Sequence, residues 1–106
     1  MTNQALINTL VAAAAEIWEI DPVDIRSSPG ARAGRARIAI AHFAYRHGCE
    51  LHEILRGFER GKGSEKERRD FREPVVREQH NAYFTSRDEY RERCLKLMKA
   101  VSGVAV

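Results

Sequence analysis

Cysteine is scarce in this chain. Cys49 and Cys94 stand too far apart to form a zinc ribbon or a Cys-x-x-Cys redox pair, which leaves a reduced intracellular protein as the expectation. The N-terminus has no basic leader segment. The apolar run from Leu10 to Ala15 is too short for a signal peptide or a membrane span, so no membrane partner is expected. No β-branched alternating run occurs, which argues against a sheet. Gly61-Lys62-Gly63-Ser64 has neither the spacing nor the preceding strand of a phosphate-binding loop. Internal repeats and low-complexity linkers are also absent. On these absences a secreted, membrane, redox or nucleotide-hydrolysing protein is not expected.

What is present favours helix. Ala, Leu, Arg and Glu dominate the 106 residues, and the length suits one all-α domain with a modest core. The net charge of +3 is small, but its distribution is uneven. Residues 1–25 hold four acids and no lysine or arginine, a balance of −4. Residues 26–77 hold thirteen basic and seven acidic side chains, a balance of +6, and residues 78–106 add +1. A basic middle between acidic or neutral ends is the pattern of a surface that meets a polyanion.

The periodicity predicts a series of helices. Leu6, Ile7, Leu10, Val11, Ala14, Ile17 and Trp18 place an amphipathic helix over residues 3–19. Asp21 and Pro22 read as an N-cap and first helical position for a short turn through Ile25. Ser27, Ser28, Pro29 and Gly30 mark a loop from Arg26 to Gly34. A third helix is expected over 33–47, stopped by Gly48, and a compact fourth over 51–59 with Leu51, Ile54, Leu55 and Phe58 inward. Residues 60–70 should form a polar loop or a helical extension, which the Ser64–Glu67 capping box can start. Pro74 opens another helix, with Val75, Val76, Gln79 and Tyr83 on its docking face. Ser86 and Glu89 suggest a second capping box before a final helix along Tyr90, Cys94, Leu97, Met98 and Val101. Trp18 and Tyr83 read as core aromatics rather than stacking platforms. The single helical domain should span 1–102, with 103–106 a frayed tail.

The order of these pieces resembles the C-terminal DNA-binding domain (domain IV) of the bacterial replication initiator family DnaA, within the Trp-repressor-like superfamily. That family has a helix, a "(V/I)-x-(V/I)-x-D-L" phrase, a basic loop, an Arg-x-Arg apolar helix and a "Leu-x-Glu-Ile-Gly-x-x-Phe" helix. The counterparts are Glu19 to Ile25, then Arg26 and Arg32, then Arg35-Ala36-Arg37, then Leu51 to Phe58. The resemblance covers a little over half the chain. It implies a helical bundle containing a helix-turn-helix. It also implies double-stranded DNA as partner, Arg37 in the minor groove, and Arg35 and Arg32 on phosphates.

After Phe58 the chain departs from the family. The base-reading phrase "Gly-Gly-Arg-Asp-His-Thr-Thr-Val" is missing, and a charged insertion runs to Arg69-Asp70 instead. These 106 residues carry no counterpart of the initiator's ATPase domain, so a replication initiator is not the expectation. Any preferred sequence should therefore differ from the origin box. Arg72 becomes the candidate for a guanine contact, Arg77 the next, and Arg68, Arg69 and Lys62 candidates for phosphates. Either 64–73 or 74–84 could be the recognition helix. Free-standing domains of this kind act as transcription regulators, including activators of gene-transfer-agent clusters. That arrangement implies a second regulatory protein or an RNA-polymerase-associated factor, and a nucleoid-associated, cytoplasmic location.

Other chemistry finds little support. His47, Cys49 and His52 lie close in sequence, but Gly48 breaks the helix between them. His42 and His80 complete no ligand spacing, so no metal is expected. Glu65 and Glu67 lie in a charge run with nothing to desolvate them, so neither a catalytic residue nor a cofactor is expected. The competing reading is a protein-interaction module on a helix-turn-helix scaffold that has lost base readout. Its mark would be Glu65, Glu67, Asp70 and Glu73 on the same face as Arg37, where they would repel phosphates.

Overall fold

Seven helices make up the regular structure of the computed structural model, which describes residues 2–58 and 64–102; no strand occurs among them. They are α1 (Asn3–Trp18), α2 (Pro22–Ser27), α3 (Ala31–Arg46), α4 (Leu51–Gly57), α5 (Glu65–Asp70), α6 (Glu73–Ser86) and α7 (Asp88–Ser102). None is long and apolar enough to cross a membrane. The radius of gyration, 12.4 Å, fits the roughly 13 Å of a packed chain this long. The expected tail, 103–106, lies outside the described residues.

Most helix ends follow from local chemistry. The Thr2 hydroxyl accepts from the Ala5 amide, and Asp21 accepts from the Val23 amide at 2.9 Å with Pro22 in the first turn. Gly48 takes φ +93° after α3, a conformation that an L side chain rarely adopts. Glu50 N–H donates to the Glu53 carboxylate at 2.9 Å at the start of α4. Ser64 accepts from the Glu67 amide and starts α5, and Pro74 lies in the first turn of α6. Two expectations need correction. Helix α3 begins at Ala31, so the loop before it is shorter than the serine, proline and glycine residues suggest. The Ser86–Glu89 box does not form. Ser86 still lies in α6, where its hydroxyl donates to Ala82 O at 2.7 Å, and the chain turns at extended Arg87.

The core gathers around α3, which packs against α1, α2, α6 and α7. Its inward stripe is mostly alanine (Ala33, Ala36, Ala41, Ala44) with Ile40, so neighbouring helices can approach closely. From α1 come Leu6, Ile7, Leu10, Val11, Ala14 and Trp18; from α7 come Tyr90, Cys94, Leu97 and Val101. Each large apolar side chain buried here contributes roughly 1.5–3 kcal/mol. Trp18 meets Tyr90 edge-on at 6.3 Å.

Helix α6 docks differently from its expected face. Val76 and His80 are buried, Val75 and Tyr83 are half-buried, and Gln79 is exposed. His80 takes the core position because aromatic and polar partners surround it. Its ring stacks on His42 of α3 at 3.7 Å and 9°, and its Nδ1 shares a 2.8 Å hydrogen bond with the Tyr90 hydroxyl. Burial, then His42 and Arg46, depress the His80 pKa to about 4, so the ring is neutral at pH 7.

Candidate nucleic-acid interface

The arginines fall into three groups. The first is structural. Arg37 is 3% exposed, and its guanidinium donates to Ile25 O at 2.8 Å, tying α3 to α2. The residue expected in a minor groove is thus buried between α2 and α3. Its position follows the buried stripe 33-36-37-40-41-44, where the alanines leave room for its stem. Arg26 is also engaged: it donates to Gly57 O and to Asn8 Oδ1, linking α2 to α4 and α1.

The second group lies along α3. Arg32 is exposed and only loosely placed near Glu19, at 3.9 Å. Arg35 is half-buried on the wall of a groove of about 340 Å³ bounded by α3, α5 and α6. Arg37, Lys66, Arg87, Tyr83, Glu67 and Asp70 also line this groove.

The third group surrounds the entry to α6. At about 3.6 residues per turn, Glu65, Arg68 and Arg69 share one side of α5, and Lys66, Glu67 and Asp70 the other. The first side joins Arg72, the α6 N-cap residue, around a recess of about 250 Å³. All three arginines are exposed, with Glu65 the one acid among the described residues lining that recess. Arg77 is exposed one turn into α6 and pairs with Glu73 at 3.3 Å. Beyond it the outer face of α6 carries Glu78, Asn81, Ala82 and Thr85, all exposed. Lys62 lies outside the described residues.

Thus Arg68, Arg69 and Arg72 come together, Arg77 lines a separate cleft further along α6, and Arg26 and Arg37 hydrogen-bond within the fold. The four acids are divided. Glu65 faces the cluster, Glu73 is held by Arg77, and Glu67 and Asp70 stand on the groove with Arg35 and Arg37. Sequence reasoning missed Arg87, whose guanidinium sits 5.7 Å from the Tyr83 ring centroid between that groove and α7. It also missed Asn81 on the outer face of α6. The i, i+4 spacing from Arg77 could have revealed it.

Other groups in the region are fixed in place. The Tyr45 hydroxyl donates to Phe71 O at 2.6 Å; burial and then Glu73 raise its pKa to about 12. Glu50, His52 and Glu53 bring possible ligand atoms within 4.8 Å of one another on the surface. The Glu53 carboxylate already accepts from Glu50 N and Asn3 Nδ2, and these hydrogen bonds, the backbone one first, lower its pKa. Cys49 is buried in the turn, away from His47 and His52, which are exposed. Comparison with protein-family models, with curated proteins and with solved structures finds no match for this chain.

Proposed function

We propose that this protein binds double-stranded DNA as a transcription regulator, with α6 as its reading helix. The observation that carries the reading is the cluster of Arg68, Arg69 and Arg72 at the start of α6, three exposed guanidiniums around one recess. Guanidiniums pair bidentately with phosphate and with guanine. The outer face of α6 adds support. Arg77, Glu78 and Asn81 are the side-chain types that pair with guanine, cytosine and adenine edges in a major groove. Arg32 and Arg35 would track the flanking backbone. In this reading the chain is a relative of the replication initiator's helix-turn-helix domain whose base-reading phrase has been replaced. Arg37 keeps its place in the sequence pattern but supports the basic segment from within.

A specific observation favours the second reading, a protein-docking module. Glu67 and Asp70 share the α3–α5–α6 groove with Arg35 and Lys66, and a mixed-sign groove suits a peptide better than a phosphate backbone. Selection of bound duplexes from a randomised library at near-physiological salt separates the two. An enriched motif supports DNA reading by α6. No enrichment, with no salt-sensitive retention of duplex, leaves the groove and its protein partner as the function.

A further inference from the structure

Packing of α3 against α6 leaves another recess, away from the arginine cluster. It is a cleft of about 340 Å³ between the second half of α3 and the first half of α6. Arg46 from α3 and Arg77 from α6 both line it. Arg77 is held by Glu73 at 3.3 Å, so that carboxylate offsets one guanidinium. Arg46 is exposed and has no ion-pair or hydrogen-bond partner among the described residues, which leaves one positive charge uncompensated. His42 borders the cleft with one ring face already stacked on His80, and Asn81 adds an amide. Val76 and the Tyr45 ring supply apolar lining, and the Tyr45 hydroxyl is already committed to Phe71 O.

A guanidinium without a partner, a second one whose carboxylate partner Glu73 also lines the cleft, two neutral polar groups and an apolar lining suit a small organic anion of low charge. Ligand clefts of about 300 Å³ upward combine apolar lining with a few placed polar groups in this way. We propose that this cleft binds a single oxyanion, a phosphomonoester or a carboxylate on a small apolar body. Arg46 holds its charge, His42 and Asn81 supply hydrogen bonds, and Val76 and Tyr45 pack against its body. The same chemistry can come from a free small molecule or from one backbone phosphate of a duplex. The inference does not rest on the DNA reading, because the cleft residues define the ligand by themselves.

The test is an NMR titration of the His42 ring at pH 7, assigned with His42→Gln. Phenyl phosphate is the probe, inorganic phosphate the charge-only control and benzyl alcohol the body-only control. Phenyl phosphate should shift the His42 signals saturably and raise the His42 pKa, since a neighbouring oxyanion favours the imidazolium. Inorganic phosphate should bind more weakly, and benzyl alcohol should give no saturable shift. Arg46→Gln, at an exposed position, should weaken phenyl phosphate about tenfold or more. The proposal is overturned if neither phosphate gives a saturable shift, or if Arg46→Gln binds as the wild type does. A duplex titration then identifies the source. A His42 shift that Arg46→Gln removes assigns a backbone phosphate, and duplex binding that leaves His42 unmoved assigns a free molecule. Failure of every duplex to bind overturns the DNA reading and leaves the phenyl phosphate result standing.

Discussion

Replacing Arg37 by Ala should damage the fold far more than any interface. The side chain is 3% exposed and donates to the Ile25 carbonyl, itself in a residue that is fully buried. Removing the donor leaves that carbonyl short of a partner, at about 1–3 kcal/mol. Loss of two buried methylenes adds about 1.6 kcal/mol. The sum, roughly 2.6–4.6 kcal/mol, is a large share of the 5–15 kcal/mol typical of a domain this size. It corresponds to a fall in Tm of roughly 10–18 °C. Arg37→Met keeps the stem and should lose only the first part. Urea unfolding followed by the fluorescence of Trp18, the single tryptophan and a core residue, measures both variants. An Arg37→Ala midpoint indistinguishable from wild type, together with weakened DNA binding, would refute the reasoning and return Arg37 to the interface.

Further outcomes follow from other contacts. His80, neutral in the fold with a pKa of about 4 against about 6.5 unfolded, contributes stability that is fully present above pH 6.5. That stability is lost as pH falls from 6.5 through 4, on the order of 2–3 kcal/mol. Denaturation at pH 7 and pH 4.5 should show the difference, and His80→Gln should flatten it. Gly57→Ala would place a Cβ 2.6 Å from Ile7 Cγ2, on a β-branched side chain fixed in the core. The cost should be about 1–3 kcal/mol in the same urea assay, and a neutral result would mean that α1 and α4 can separate easily. Replacing Arg68, Arg69 and Arg72 together by Gln should leave Tm within a few degrees. It should reduce the log–log salt slope of duplex binding by about 2.7. An unchanged slope would mean that none of the three touches phosphate.

Much of the fold was legible because its signals are local. The α1 spacing, Asp21-Pro22, Gly48, Ser64 and Pro74 each act within one helical turn, and each appears as its chemistry implies. The Ser86 box failed because a serine hydroxyl can donate back to the carbonyl four residues earlier as readily as it can cap ahead, and α6 packing selects the first. For the candidate site, Arg68, Arg69 and Arg72 were readable as a charged stretch, but their grouping was not. Which arginines join depends on α5 turning its two sides toward different recesses. The burial of Arg37 was missed because a family pattern reports position and not burial. The stripe of small residues around it was present in the sequence and would have corrected that. His80 was passed over because histidine is a weak core signal, and its partners His42 and Tyr90 come from other helices.

The alanine stripe of α3 also limits how this protein can vary. Ala36, Ala39, Ala41 and Ala44 are fully buried where four other helices close in. Alanine gives up no rotamer freedom there, so ordering the hub costs little entropy. It also leaves nowhere for a larger side chain to go, and each added methylene must push a helix aside. Drift at these positions is confined to glycine or serine, whereas the outer face of α6 is free to change residue by residue. A chain built this way can change its surface many times over while its centre remains almost the same.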